Sequence, residues 1–452
     1  MSEGKLPEGW CYACVGDYLY LKNGFAFKST SYVNASEHTY PVIRISDLNG
    51  AQASDRNAVH VLAGESGFEI NSGDLLIAMS GATTGKIGVY SGRTPAYQNQ
   101  RVGNIILHST KYGNAKYRDL LISSLSDTIL KIAYGGAQPN ISGKGIEQIT
   151  ILLPPLTEQK IIADKLDTLL AQADSTKVRL EKIPQILKHF RQAVLAAAVS
   201  GKLTEEWRGT AILNNWKSGV LKNFIKKPSY GTSAKSQKEG LIPVLRMGNL
   251  QNGELNWSDL VYTSDENEIE KYNLIAGDIL FNRTNSPELV GKTSIYRGEK
   301  QAIYAGYLIK IQCLEELNPE YLNYHLNSHI AKQYCYEVKS DGVSQSNINA
   351  QKLAAYPLEV PPIKEQNEIV RRIEQLFACA DGIEKQVQNA LERVNNLTHS
   401  ILTKAFRGEL TAQWRAENPE LISGENSAQS LLVRIQQQRK SIKNIKQRKG
   451  KS

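Results

Sequence analysis

Pro154-Pro155-Leu156-Thr157-Glu158-Gln159 returns as Pro361-Pro362-Ile363-Lys364-Glu365-Gln366. The shift is 207 residues, from Pro154 to Pro361. Without a gap it also carries Gly201-Lys202-Leu203-Thr204 onto Gly408-Glu409-Leu410-Thr411, and Trp207-Arg208 onto Trp414-Arg415. Two long, dissimilar segments precede the two copies. A duplicated frame carrying two divergent modules suits a molecule that reads two related targets at a fixed separation.

Within the first copy, apolar residues fall at Ile162, Leu166, Leu169, Ala173, Leu180, Ile183, Leu187, Phe190 and Val194, with Thr176 in the one polar slot. In the second copy the same slots hold Ile369, Ile373, Leu376, Ala380, Ile383, Val387, Ala390, Val394, Leu397 and Ile401. Alternating steps of four and three give a 3.5-residue period, the seam of a left-handed coiled coil. At ~1.5 Å per residue each seam is on the order of 50 Å long. Two like seams in one chain are expected to pair with each other, antiparallel and with pseudo-two-fold symmetry, so that the modules do not crowd one end. A helical bundle or a homodimeric coiled coil is the rival. Pro184 predicts a flaw in the first helix, since an interior proline removes a hydrogen bond; the second copy has Leu391 there.

A chain of 452 residues holds two or three domains with real cores. Mean hydropathy is −0.37 and no 18-residue apolar run occurs, as expected of a soluble protein. Met1-Ser2-Glu3-Gly4-Lys5 lacks the apolar stretch of a secretory signal. The five cysteines (Cys11, Cys14, Cys313, Cys335, Cys379) fit a reducing cytoplasm, and Cys11-Tyr12-Ala13-Cys14 has no second pair for zinc. The net charge of +9 is concentrated at one end: eight Lys or Arg and no acid lie from Arg434 onward. Residues 1–153 hold 13 basic and 12 acidic residues, and 209–360 hold 16 of each. Bulk charge therefore does not make the modules nucleic-acid binders; local patches or a partner must supply phosphate contacts. Residues 416–452 are expected to form a flexible basic tail that adds non-specific DNA affinity at most.

Both modules, 1–153 and 209–360, have the pattern of mixed α/β folds with many short strands. Pro243-Val244-Leu245-Arg246 echoes Pro41-Val42-Ile43-Arg44, and Gly277-Asp278-Ile279-Leu280 echoes Gly73-Asp74-Leu75-Leu76. Gln345-Ser346-Asn347-Ile348 likewise echoes Gln138-Pro139-Asn140-Ile141. After each Gly-Asp strand comes a polar loop, Ser80-Gly81-Ala82-Thr83-Thr84-Gly85-Lys86 in one module and Asn282-Arg283-Thr284-Asn285-Ser286 in the other. Such loops permit close approach of the backbone, and their side chains can bond phosphates or base edges. Three residues between Gly81 and Gly85, and Ile87 after Lys86, rule out a nucleotide-binding P-loop. Tyr97-Gln98-Asn99-Gln100-Arg101 is a further cluster suited to bases, since Asn and Gln match adenine and Arg matches guanine. Candidate DNA contacts are thus Arg44, Ser80, Thr83, Thr84, Lys86, Asn99, Gln100 and Arg101 in the first module. In the second they are Arg246, Asn249, Asn282, Arg283, Thr284, Asn285 and Lys292. Arg44 and Arg246 lead this set because equivalent positions carry the same side chain. Each residue taken alone is as compatible with a turn or a surface position.

Catalytic signatures are absent: there is no HExxH, no Rossmann glycine fingerprint and no Asn-Pro-Pro-aromatic motif for amino-group methylation. His325 and His329, four apart on an expected helix, have no carboxylate partner and read as a surface pair rather than a metal site.

Leu153-Pro154-Pro155-Leu156-Thr157-Glu158-Gln159, the run Gln185–Leu195, and Ala405-Phe406-Arg407-Gly408-Glu409-Leu410-Thr411 together resemble the conserved regions of specificity (S) subunits of type I restriction–modification systems. Leu6-Pro7-Glu8-Gly9-Trp10 is similar to that family's module opening. The likeness extends to about residue 433 and is nearest to the type IA subgroup. It implies target-recognition domains at 1–153 and 209–360, each reading one half of a bipartite DNA site. It makes 154–208 and 361–415 spacer helices on which two modification subunits dock. Those subunits would bind S-adenosylmethionine and methylate adenine, and two restriction subunits would use ATP and Mg. The S subunit itself would have no active site, cofactor or metal, and would be cytoplasmic. The recognition loops vary freely in the family, so the target sequence is not given. Two rivals stand beside this reading: a fused methyltransferase–nuclease and a non-enzymatic scaffold with protein-binding modules.

Overall fold

The computed structural model describes residues 6–134, 140–343 and 345–449. The chain divides into two compact units, one of residues 1–178 with 392–452 and the other of residues 179–391. Each unit combines one module with part of both long helices, Leu156–Val199 and Ile363–Phe406. Pro154-Pro155 and Pro361-Pro362 stand where these helices begin and where a missing N–H costs nothing. The Gln of the same motif folds back to cap the entry: Gln159 Nε2 donates to Pro154 O at 3.0 Å, and Gln366 Nε2 to Pro361 O at 2.7 Å. Pro184 lies inside the first helix without ending it.

In the first unit the beginning of the first helix (Ile162, Ala163, Leu166) shares a core with the end of the second (Ala405, Phe406). In the second unit Val194, Leu195 and Ala198 share a core with Ile369, Val370 and Ile373. There Arg191 also bonds Asp381 and Glu384. Start meets end in both units, so the pair is antiparallel and intramolecular, not a bundle or a dimer seam. Burial along the seam is uneven: Ile162, Leu166, Ile369 and Ile373 are sealed, whereas Phe190, Ile383 and Leu397 are exposed. Two helices alone cover one narrow stripe each, and only the module cores close over the stripe's ends.

The two units repeat one clamp. In the first, the buried Glu158 carboxylate accepts from Trp10 Nε1 (2.8 Å), Thr411 Oγ1 (2.6 Å) and Arg415 (2.5 Å). In the second, Glu365 accepts from Trp216 Nε1 (3.1 Å), Thr204 Oγ1 (2.8 Å) and Arg208. The Glu of one repeat is therefore satisfied by the Thr and Arg of the other, which explains why Thr204 and Arg208 recur as Thr411 and Arg415 at the same shift. A buried carboxylate needs such a full set of donors.

Each module is a mixed α/β fold. The first has a five-stranded sheet in the order Leu19–Asn23, Val102–Leu107, Leu75–Ala78, Ile87–Tyr90, Gln52–Ala53. Its second sheet has four strands, in the order Val59–Val61, Tyr40–Ile43, Ala96–Gln98, Glu69–Ile70. The second module has a four-stranded sheet (Ser229–Tyr230, Leu308–Ile311, Ile279–Asn282, Thr293–Ile295) and a three-stranded one (Val261–Thr263, Ile242–Leu245, Ile303–Tyr304). Their main-chain bonds correspond. Gly73 N donates to Tyr90 O and Gly277 N to Tyr296 O, both at 2.8 Å. The glycine is required there: φ is +92° at Gly73 and +93° at Gly277, a region costly for residues with a Cβ.

Two expectations fail. Residues 416–449 are not a flexible tail. Ala428–Lys449 is a helix whose Ala428, Leu431, Leu432 and Ile435 are buried in the core of the first unit. Those four follow the i, i+3, i+4, i+7 spacing of an amphipathic helix, which the charge run obscures. Residues 450–452 lie outside the described ones, as do Gln138 and Pro139 of the expected echo. Nor is His325 on the surface. It is buried, its Nδ1 3.1 Å from Tyr356 Oη, and burial pushes its pKa down to about 4.

Candidate nucleic-acid interface

Strand ends and loops of the first module converge through main-chain bonds. Asn99 N donates to Ile43 O (3.0 Å), Met79 N to Arg101 O (2.9 Å) and Ile141 N to Met79 O (2.8 Å). The Thr83 hydroxyl donates to Ile45 O at 3.3 Å. The polar runs around residues 44, 80–86 and 99–101 therefore meet on one surface. Ser80, Gln100 and Arg101 line an open cleft of about 500 Å3 there, with Asn23, Asn140 and Ser142. Gln100, Arg101 and Lys86 are exposed. Donors and acceptors set in a concave polar wall are what base edges and phosphates require.

In the second module the bonds match one for one. Ala305 N donates to Leu245 O (2.9 Å), Arg283 N to Tyr307 O (3.1 Å) and Ile348 N to Arg283 O (2.8 Å). By these pairings Arg283 stands where the first module has Met79, and Tyr307 where it has Arg101. Ala305 and Gly306 replace Asn99 and Gln100. The backbone is common to both modules and the side chains it presents are not.

The fifteen sequence candidates divide accordingly. Thr84, Asn249 and Asn282 are buried and hold the loops: the Thr84 hydroxyl donates to Gly81 O, and Asn249 Nδ2 donates to Asn256 O and Asp259 O. Asn282 Oδ1 accepts from Thr284 N at 3.3 Å. Without a rearrangement these three cannot reach a base, and they leave the set. Arg44 and Arg246 occupy the same place. Each begins a short 3-10 turn, its N–H capped at 2.8 Å by Asp47 in one module and Asn249 in the other. The guanidinium of Arg44 lies 3.6 Å from Asp47, and that of Arg246 3.2 Å from Asp259. Burial, the largest influence, raises the pKa of Asp47, against the pull of Arg44. Asn99 contacts Tyr32 Oη at 3.4 Å. Thr284 accepts from Asn347 Nδ2 at 2.7 Å, and Asn285 caps Ser286 N at 2.8 Å. Lys292 donates to Gln251 and lines a different cleft of about 1210 Å3 with Lys188 and Lys332. There burial first, then Lys188 and Lys292, lower the pKa of Lys332.

Sequence reasoning missed Tyr230, whose ring lies 4.6 Å from the Arg283 guanidinium, and the exposed Tyr307. Tyr307 sits outside any polar run, and Tyr230, within the polar run from Lys226 to Lys238, has no spacing that sets it apart from a surface residue there. Among the described residues no group of three or more His, Cys, Asp or Glu is placed to hold a metal. Among them, too, no helix is long and apolar enough to cross a membrane.

A family model described as type I restriction modification DNA specificity domain matches residues 7–185 and again 214–393. The chain is 40% identical over 462 aligned residues to the type I restriction enzyme EcoKI specificity subunit of Escherichia coli (strain K12), covering 97% of each chain. Identity to the StySPI specificity subunit of Salmonella potsdam is also 40%, again with 97% of each chain covered. In fold it is similar to the HsdS subunit from Thermoanaerobacter tengcongensis, at a TM-score of 0.59 and 17% identity over 90% of this chain and 99% of that one. A chain solved to explain complex assembly and conformational transition of the type I R-M system gives a TM-score of 0.64 at 16% identity, covering 90% of this chain and 100% of that one. The same family model falls once on each of two modules that share a backbone and differ at its polar surface, and the chain belongs to the family of type I restriction–modification DNA specificity subunits.

Proposed function

We propose that this chain gives a type I restriction–modification complex its DNA sequence specificity, each module reading one half of a bipartite site. One observation carries this reading: matched main-chain bonds place different side chains at equivalent points of the two polar surfaces. A single-target protein has no use for two such surfaces. The chain itself is non-catalytic in this reading. Modification subunits docked on the long helices bind S-adenosylmethionine and methylate adenine, and restriction subunits supply the ATP- and Mg-dependent steps. The complex works in the cytoplasm, where its DNA is. The near-balanced charge of both modules favours partners that share the phosphate contacts.

The test is a methylation map of cells expressing this chain with its modification subunit. A split adenine-methylated motif that disappears on deletion of the chain is expected. Unchanged methylation in cells where the complex demonstrably assembles would overturn the proposal and favour a protein-binding scaffold. The helices set the spacer in this reading, so a seven-residue insertion in each should lengthen it and leave both half-sites intact.

A further inference from the structure

Arg283 is held as few surface arginines are. Its N–H donates to Tyr307 O at 3.1 Å and its carbonyl accepts from Ile348 N at 2.8 Å, so the backbone is fixed on both sides. Its guanidinium lies over the ring of Tyr230, 4.6 Å from the centroid. That ring is pinned in turn, since Tyr230 Oη accepts from Ala350 N at 3.0 Å and Tyr230 O from Tyr304 Oη at 3.5 Å. This cation–π contact restrains the guanidinium before any ligand arrives, and less rotamer entropy is lost when it is used.

The charge is also available. Arg208, Arg246 and Arg297 of the same unit are each paired with a carboxylate. No ion pair among the described residues includes Arg283, and its Nε is buried without a partner. Thr284, Asn347 and the half-exposed Tyr307 flank it. A phosphate takes a positive charge in many orientations, through one donor or two, and carries no sequence information. The O6 and N7 of a guanine need two parallel N–H donors in one plane, which the planar guanidinium provides. The first module has Met79 at this backbone position, with neither charge nor donors.

We infer that Arg283, oriented by Tyr230, reads a guanine in the half-site of the second module. This rests on the proposed specificity function. The first module reads its half-site without an arginine at that point, so the two half-sites differ where these residues fall.

The experiment uses the full chain assembled with its modification subunit, as wild type, Arg283→Met and Arg283→Lys. Methylation is mapped in cells. Binding is measured against duplexes in which each G·C pair of the second half-site is replaced in turn. Met is the residue the sister module carries on the same backbone, so Arg283→Met is expected to fold and assemble. Wild type should discriminate against loss of one G·C pair by roughly 5- to 150-fold. Arg283→Met should lose that discrimination alone, with all other positions in both half-sites unchanged. If Arg283→Met does not assemble, Arg283→Lys decides. It keeps the charge but not the planar fork, and should bind while relaxing the same position.

Three results would overturn the inference: a second half-site with no G·C pair, an unchanged motif in the variants, or equal weakening on every sequence with a shallower salt dependence. The last is the mark of a phosphate contact. If wild type yields no split motif, it is the specificity function itself that has failed.

Discussion

The two units are alike where they are buried and unlike where they are polar and open. Glu158 and Glu365 each bind a Trp, a Thr and an Arg, and Gly73 and Gly277 adopt the same positive φ beside the same tyrosine carbonyl. Yet Met79 faces Arg283 across the comparison, and Arg101 faces Tyr307. The bonds common to both surfaces use main-chain atoms, so the side chains at those matched points can differ while the backbone stays the same. That separation lets one scaffold serve two half-sites.

The strongest way to break the comparison is at the clamps. Removing one partner of a buried ion pair leaves the other uncompensated, at about 3–5 kcal/mol. Glu158→Ala should destabilise the first unit by that order, stranding Arg415, whose side chain is 12% exposed. Glu365→Ala should do the same to the second unit, stranding Arg208. Calorimetry on the two variants is expected to show losses of similar size. A large loss in one and none in the other would mean that the units are not held alike.

The next difference is a core residue. Counting from the helix-capping Asn114 and Asn318, Leu121 and His325 occupy the same turn, and both are buried. His325 is neutral in the fold with its pKa pushed down to about 4, whereas unfolded histidine titrates near 6.5. Between those values the unfolded chain binds the extra proton, so stability falls as pH falls from about 6.5 to about 4. By pH 5 the loss should be about 2 kcal/mol. His325→Leu, which installs the first unit's residue, should flatten this part of the profile in thermal melts at pH 7 and pH 5. Tyr321 and Tyr356 beside it, and Tyr334 packed on Tyr356, stay neutral in this range, since burial raises the pKa of each. An unflattened profile would place the acid sensitivity elsewhere, for example at His108, which burial also lowers.

How much of this the sequence discloses depends on the range of the interaction. The 207-residue shift and the four-three heptad steps expose the repeat and its antiparallel helices, because both are patterns within one stretch of chain. Trp10, Glu158 and Arg415 stand in quotable motifs, but their meeting spans 148 and 257 residues, and no spacing rule reports it. The C-terminal helix was legible in Ala428, Leu431, Leu432 and Ile435 and was hidden by its lysines and arginines. Thr84, Asn249 and Asn282 resemble surface polar residues in sequence. Only the fold shows that they are buried, with the Thr84 hydroxyl, Asn249 Nδ2 and Asn282 Oδ1 bonded to neighbouring main chain.

The finest contrast concerns the residues that do not differ. Arg44 and Arg246 are the same side chain at the same turn, and what is common to both modules cannot tell one half-site from the other. Each lies beside a carboxylate, and that of Asp259 is 92% exposed, so the Arg246 pair is worth no more than about 1 kcal/mol and yields readily to a competing anion. A phosphate is such an anion. Arg246→Ala should therefore weaken binding to all sequences by a similar factor and lower the salt slope by about 1, with the methylated motif unchanged. Arg44→Ala should weaken binding through the first module in the same uniform way and also cost stability, since the Asp47 carboxylate beside it is buried. The check is affinity against salt concentration for cognate and non-cognate duplexes. If either variant alters the motif, the shared arginine reads a base, and the line between a common scaffold and private reading residues must be drawn closer to the loops.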